Sequence, residues 1–265
     1  MDRHDFSRLR QRFNSYVDTF RDVDAKLHPM MELKLQHSLR VADEAREIAT
    51  DLEWAESDVV LGEAIGLFHD VGRFLQYQKY QTYYDPKSVN HGCLGFQILR
   101  DADWLNQAAD EEKTIILESV RLHNAHNLPA DLSVELKKFA YLVRDADKLD
   151  IYHVVDSAFD KDNLKENPGI MWNMPQDFSP DSIILKDLRA RRQASYLDVK
   201  SQADFCLLQL CWIYDLNYQP AIRRIYERNI IDKLAGRLPE NDVLAQAISE
   251  LKDFVRRPVF LCCLH

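Results

Sequence analysis

Apolar residues recur at three- and four-residue spacing along most of the chain, which is typical of amphipathic helices. The stretch "LKLQHSLRVADEAREIATDL" places six residues on one helical stripe: Leu33, His37, Val41, Ala45, Ile48 and Leu52. Comparable stretches follow one another from about residue 4 to residue 160. They are interrupted at 83–90 and 126–133, where Pro and Asp favour turns. The pattern predicts a run of helices in this part of the chain.

The remainder of the chain has the same helical pattern after one interruption. The segment 162–180 contains three prolines and several asparagines, and it is interpreted as a linker or lid loop. Only seven glycines in 265 residues also favour helices over a turn-rich β fold. We therefore predict an all-α fold with a helical bundle at 1–160, a linker or lid at 161–180, and a C-terminal helical extension at 181–265 packed on the bundle.

Composition and charge limit the environment and the partners of the protein. No stretch approaches the roughly 20 apolar residues of a membrane span, and the first residues lack the apolar core of a signal peptide. These features predict a cytoplasmic protein without membrane contact. A net charge of −9 argues against long nucleic acids, but a local basic pocket could still bind a small anionic substrate. A homo-oligomer is compatible with the sequence.

The five cysteines predict neither a disulfide framework nor a thiolate zinc site. Their number is odd and no two of them form a CxxC pair. We expect them to be reduced and mostly packed.

Histidine and aspartate residues occur on the apolar faces of several predicted helices. His37 lies on the stripe described above, and His69 shares a face with Leu61 and Ile65, with Asp70 directly after it. A single histidine on such a face is usually a core residue with a hydrogen-bond partner. Several buried imidazoles and carboxylates need mutual compensation, however, and a divalent cation would supply it.

Two more candidates lie further along the chain. His123 follows Ile116 and Val120 on an apolar stripe, and Asp147 follows Val143 by one helical turn. Asp145 is less clearly directed inward, so Asp147 is preferred. Nitrogen and oxygen ligands without thiolates suit Mn, Fe, Ni, Co, Zn or Mg.

The order His37, His69-Asp70, Asp147 resembles the H…HD…D signature of the HD-domain superfamily of metal-dependent phosphohydrolases. The segments "HSLRVADEA", "LFHDVGR" and "LVRDADKLD" support the resemblance, which covers roughly residues 30–160. It implies a helical bundle that binds a divalent metal ion through these four residues and hydrolyses a phosphate ester.

The resemblance extends to a second metal site. The segments "NHGCLGFQIL" and "VRLHNAH" are similar to those that supply two further histidines in the HD-GYP and related six-ligand branches, and they match His91 and His123. Asp70 would then bridge two ions. The chain lacks the GYP tripeptide and has Arg73 where that branch has a lysine. His126, one turn after His123, is an alternative ligand or a substrate contact.

The family resemblance implies hydrolysis of a small phosphate ester, either a nucleotide-type phosphomonoester or a phosphodiester. The metal would lower the pKa of bound water from near 16 to about 7 and so generate the hydroxide nucleophile. Asp70, Arg73 and Lys148 are the predicted catalytic residues, and Arg121 and Arg144 are further candidate cations. Arg73 would share a face with His69 if the helix continued through Gly72.

Two other functions remain open. The superfamily includes di-iron oxygenases with six ligands of this kind, which would require bound iron and oxygen. A non-catalytic, metal-stabilised ligand-binding module is the other alternative. An open site with carboxylate ligands argues against a purely structural metal, because structural sites prefer closed tetrahedral zinc. The sequence does not specify the substrate, the metal or the number of ions.

Overall fold

The structure is a computed structural model that describes residues 1–160, 174–175 and 177–256, without the side chains of 158–160. Within these ranges every regular element is a helix, which confirms the predicted all-α class. The chain divides into two compact units, Met1–Ile151 and Tyr152–His265. Most of the predicted linker or lid lies outside the described residues, as does the end of the C-terminal extension.

The first unit is built from seven helices as far as it is described, the last of which continues into the second unit. They are α1 (Arg3–Asp18), α2 (Pro29–Asp51), α3 (Glu56–Phe68), α4 (Gly72–Tyr80), α5 (His91–Asp101), α6 (Asp110–Leu122) and α7 (Val134–Asp160). The predicted interruptions at 83–90 and 126–133 are confirmed, since they separate α4 from α5 and α6 from α7. A short 3-10 helix, Asp85–Lys87, lies in the first of these connections.

Helix α3 forms the centre of the first unit. Every residue from Val59 to Phe68 is buried, and α1, α2 and α6 pack around the helix. A Cβ atom at Gly66 would lie 2.8 Å from the carbonyl oxygen of Val41 on α2, which is tighter than real contacts allow. The absence of a side chain at Gly66 therefore permits α2 and α3 to approach closely and brings His37 of α2 towards the end of α3.

The chain turns sharply between α3 and α4. Helix α3 ends at Phe68 and α4 begins at Gly72, so the condition under which Arg73 would share a helical face with His69 is not met. A Cβ atom at Gly72 would collide with the carbonyl oxygen of His91 and lie 2.8 Å from the backbone nitrogen of Gly95. The first turns of α4 and α5 thus meet backbone to backbone, and this contact places His91 near the turn that carries Asp70.

The described part of the second unit is also helical. It contains the end of α7 and five further helices: α8 (Ile183–Arg189), α9 (Gln202–Trp212), α10 (Gln219–Glu227), α11 (Ile230–Ala235) and α12 (Asp242–Arg256). The apolar spacing is helical on both sides of Asn229 and gives no sign of an end there. The helix instead breaks at Asn229, whose φ of 55° is left-handed, a conformation that Asn tolerates better than most residues.

The cysteines in the described ranges are free thiols. Cys206 and Cys211 are buried on α9, as expected, whereas Cys93 on α5 is exposed. Cys262 and Cys263 lie outside the described residues. Across the described helices, none combines the length and the apolar character that crossing a membrane requires.

Candidate metal centre

Six side chains that the sequence singled out as metal ligands lie together in the first unit. They come from five separate places in the fold: His37 on α2, His69 and Asp70 directly after α3, His91 at the start of α5, His123 directly after α6, and Asp147 on α7. The four histidines and Asp70 are buried, and the Asp147 side chain is 18% exposed. The exposed edge of Asp147 marks one side from which solvent reaches the cluster.

Four of these residues form the first group. The Nε2 atoms of His37 and His69 lie 3.1 Å apart, and Asp147 Oδ1 lies 3.1 Å from the former and 3.5 Å from the latter. Asp70 Oδ2 completes the group at 3.5 Å and 3.6 Å from the same two nitrogens. Ligand atoms of His37, His69 and Asp70 lie within 4.8 Å of one another, and Asp147 Oδ1 contacts both imidazoles.

The second group uses the other oxygen of Asp70. Asp70 Oδ1 lies 3.4 Å from His91 Nε2 and 3.6 Å from His123 Nε2, and these two nitrogens are 3.0 Å apart. Each oxygen of one carboxylate thus contacts a different pair of imidazoles. This division is what a carboxylate bridging two cations requires.

The outer nitrogen of each imidazole is held by an acceptor. The acceptors are Asp150 for His37 (2.6 Å), the Gly66 carbonyl for His69 (2.7 Å), Asp85 for His91 (2.7 Å) and the Val120 carbonyl for His123 (2.8 Å). Because these oxygens accept a proton from Nδ1, each Nε2 presents its lone pair to the cluster in the neutral imidazole.

This arrangement fits a divalent cation. Two lone pairs facing each other at about 3 Å in a buried site repel unless a proton or a metal ion lies between them. Metal–ligand bonds of about 2.1 Å separate neighbouring ligand atoms by roughly 3.0–3.4 Å, close to the spacings within both groups. The donor set contains only nitrogen and oxygen, so it suits the harder divalent ions rather than a thiolate-type zinc site.

The electrostatics keep the carboxylates ionised. Burial alone would raise the pKa of Asp70, but Lys34, His69 and Arg73 hold it well below its usual range. Burial would likewise raise the pKa of Asp147, and the contacts with His37 and His69 lower it instead. Both carboxylates are therefore available as anionic ligands at neutral pH.

The pKa values of His91 and His37 shift in opposite directions, although burial lowers both. Burial and the charge of Arg73 lower the pKa of His91 to about 3, which leaves it neutral and able to bind metal. Burial and Lys34 would also lower the pKa of His37, yet the contacts with Asp147 and Asp150 raise it overall. A proton on His37 and a divalent ion would therefore compete for the same position.

The other predicted cations have identifiable positions. Arg73 Nη1 donates to the Tyr83 carbonyl (2.7 Å), Gln76 (2.8 Å) and Asp85 (3.0 Å), while its Nε lies 3.4 Å from Asp70 Oδ1. Lys148 is buried on α7 next to Asp147 in sequence. Arg73 consequently links Asp70 to the connection between α4 and α5.

Arg121 and Arg144 have structural partners. Arg121 pairs with Glu118 one turn earlier on α6. Arg144 donates to the backbone carbonyls of His123 and Ala125, so it supports the loop that follows α6. The expectation that Asp145 is less inward than Asp147 is wrong as a statement about burial, because Asp145 is fully buried. Asp147 is nevertheless the one that contacts His37 and His69.

Sequence reasoning missed three residues that touch the ligands. Lys34 Nζ lies 2.8 Å from Asp70 Oδ2, Asp85 accepts from His91, and Asp150 accepts from His37. Lys34 and Asp150 each lie one turn from a ligand on the same helix, but this spacing indicates a shared face and not the contacts with Asp70 and His37. Asp85 lies in a segment that was interpreted only as a helix break, and its sequence carries no signal of this contact.

Comparison with protein families identifies one match. Residues 35–152 match the family described as HD domain, which confirms the resemblance inferred from the histidine and aspartate motifs. HD domains bind divalent metal ions, in agreement with the clustered ligands. Neither the curated proteins nor the solved structures include a match to the chain.

Proposed function

We propose that the HD domain at residues 35–152 hydrolyses a small phosphate ester, a nucleotide-type phosphomonoester or phosphodiester, with a metal-activated hydroxide. The proposal rests on the set of groups that contact the Asp70 carboxylate. Its two oxygens contact separate histidine pairs, and the cationic groups of Lys34 and Arg73 lie against the same carboxylate. Metal ligands and positive charges around one carboxylate suit an anionic substrate.

We propose the following roles for the ligand residues. His37, His69, Asp70 and Asp147 would hold a first divalent ion, and Asp70, His91 and His123 a second. When bound, such an ion lowers the pKa of its water to near neutrality and polarises a phosphoryl oxygen. Mn, Fe, Ni, Co, Zn and Mg are all compatible with these donors.

The chain's own residues prepare the site for this chemistry. Asp150, held by Arg40 at 2.5 Å, and Asp85 fix the orientation of His37 and His91 and turn their inner nitrogens towards the cluster. Arg73 and Lys148 are proposed to add positive potential where negative charge develops on the phosphoryl group. Burial of the four histidines and Asp70 limits the access of water to the cluster, which strengthens these interactions.

A di-iron oxygenase uses six ligands of the same types, so the ligand set alone does not discriminate between the two reactions. The cations Lys34 and Arg73 beside Asp70 favour a phosphate ester over an uncharged substrate. A non-catalytic module would need neither these cations nor a ligand group that is open on one side.

Metal analysis followed by an anaerobic activity screen tests the proposal. Protein loaded with Mn under anaerobic conditions should hydrolyse members of a panel of phosphomonoesters and cyclic nucleotides. The Asp70→Ala variant should lose both bound metal and turnover. Turnover that requires iron and oxygen would establish the oxygenase, and a metal-loaded protein inactive on every ester would support the binding module. Full metal occupancy in Asp70→Ala would refute the ligand assignment.

A further inference from the structure

Two cationic side chains, Arg73 and Lys34, contact Asp70. They differ in the number of oxygen atoms to which each already donates a hydrogen bond. Arg73 Nη1 donates to three acceptors: the Tyr83 carbonyl, Gln76 and Asp85. Its guanidinium is thereby fixed to the connection that precedes α5. A side chain bound this way acts through Asp70 and Asp85 and has little freedom to follow a substrate.

Lys34 is arranged differently. It lies on α2 one turn before His37, its side chain is 15% exposed, and its Nζ lies 2.8 Å from Asp70 Oδ2. Among the described residues Asp70 is the one oxygen partner of this ammonium group, and the Tyr83 ring lies 5.6 Å away. An ammonium group has three donors, so two remain for an incoming acceptor.

The partner of Lys34 is also a ligand atom. Asp70 Oδ2 faces His37 and His69, so an ion held by these residues would share that oxygen with the lysine. The ion and the ammonium group would then lie within a few ångströms of each other and repel. An anion that both can bind relieves this repulsion.

We propose that Lys34 is the residue of this site that binds a non-bridging oxygen of the substrate's phosphoryl group, whereas the sequence had pointed to Arg73 and Lys148 as the catalytic cations. The proposal rests on the function proposed above and deepens it. The flexible stem of a lysine lets the ammonium move from Asp70 Oδ2 to the phosphoryl oxygen without moving α2. Lys34 is thus a binding residue, whereas Arg73 positions Asp70 and Asp85.

The test compares Lys34→Met with Lys79→Met in the Mn-loaded full chain. Methionine keeps the apolar stem and removes the charge, and Lys79 is an exposed lysine on α4 in the same unit. Inorganic phosphate is titrated into each protein by calorimetry, and bound Mn is measured separately. We expect Lys34→Met to bind phosphate about 10- to 100-fold more weakly than wild type, and Lys79→Met to match wild type.

Manganese binding separates this role from a structural one. Lys34→Met should bind Mn at least as tightly as wild type, because a neighbouring positive charge has been removed. Lys34→Arg, which retains charge, should recover part of the phosphate affinity and serves as the test if Lys34→Met does not fold. Unchanged phosphate affinity in Lys34→Met, or weaker Mn binding, overturns the proposal.

The outcome can be distinguished from failure of the proposed hydrolysis. A wild-type protein that binds phosphate through Lys34 but hydrolyses no ester refutes the hydrolase and retains the binding role. A wild-type protein that hydrolyses an ester with KM unchanged in Lys34→Met retains the hydrolase and refutes the role of Lys34.

Discussion

At the scale of single residues, Asp85 determines how one ligand histidine presents itself. Its carboxylate accepts from His91 Nδ1 (2.7 Å), Gln76 (2.8 Å), Arg73 (3.0 Å) and Asn124 (3.2 Å). Burial would raise the pKa of Asp85, but His91 and Arg73 lower it, so the group stays ionised. An ionised Asp85 keeps the proton of His91 on Nδ1 and its lone pair towards Asp70.

Replacing Asp85 by Asn should weaken the binding of the second ion and leave the binding of the first unchanged. An amide can donate as well as accept, so the tautomer of His91 is no longer fixed, and loss of such a partner lowers metal affinity by about 10- to 100-fold. At a free Mn concentration that just saturates wild type, the metal-to-protein ratio should fall from two towards one, while the first group stays filled. Asp24→Asn, at an exposed loop position, is the control. An unchanged ratio and affinity would contradict the role of Asp85.

The ligands could be predicted from sequence, but most of their partners could not. His37, His69 and Asp147 are conspicuous because polar groups at helical spacing among apolar residues need compensation. The contact between His37 and Asp150 joins residues 113 positions apart, and no local pattern encodes such a pairing. Lys34 looks like an ordinary surface lysine until the fold places it against Asp70.

At the scale of helices, periodicity predicted the elements but not where two of them end. The break between α3 and α4 follows from the close backbone contact of Gly72 with α5, and the break after α10 follows from the left-handed Asn229. Both depend on tertiary packing or a single backbone conformation. The pattern of apolar residues does not reveal either break, because the spacing of apolar residues remains helical before and after it.

The Gly72 contact gives a prediction about helix placement. In Gly72→Ala the new methyl group would collide with the His91 carbonyl, so α5 must shift and carry His91 away from Asp70. We expect a loss of stability of about 1–3 kcal/mol and weaker binding of the second ion, with the first retained. Gly236→Ala is a matched control, since its nearest atom would be 3.3 Å away and its φ of −64° suits alanine. Equal effects of both substitutions on stability and metal content would contradict the packing argument.

In the second unit, Asp156 joins the end of α7 to α11. Its carboxylate pairs with Lys233 (2.7 Å) and Arg237 (2.5 Å). Burial would raise the pKa of Asp156, but these two cations lower it overall. Because the pKa is lower in the folded state, the pairing stabilises the protein above the unfolded carboxyl pKa of about 4 and is lost as pH falls through the folded value.

Asp156→Asn should therefore destabilise the protein in a pH-dependent way. We expect a loss of about 1 kcal/mol at pH 7, the scale of a partly exposed ion pair, and a difference that shrinks below about pH 4. Thermal unfolding of wild type and variant across this range measures it, with Asp253→Asn on the exposed side of α12 as the control. A difference that is constant with pH would mean that packing, not charge, explains the effect.

At the scale of the whole molecule, the predicted metal chemistry belongs to one unit. All six ligands lie between residues 37 and 147, within Met1–Ile151, whereas α8 to α12 supply none of them. An ion that binds the folded first unit and not its unfolded form stabilises that unit by mass action, by about 2.7 kcal/mol at 100 times the dissociation constant. The helices that carry or adjoin the ligands should gain the most stability when the ion binds.

Hydrogen exchange with mass spectrometry can locate this response. Some amides of α2, α5 and α6 exchange through unfolding of the first unit. At a Mn concentration 100 times the dissociation constant, their exchange rates should fall by about 100-fold. Amides of α9 and α12 should change far less, because the second unit holds no ligand among its described residues. The Asp70→Ala variant should show no slowing in either unit, since neither ligand group is complete without that carboxylate. Equal slowing in both units, or slowing that persists in Asp70→Ala, would place the ion elsewhere and contradict the assignment of the metal centre to the first unit.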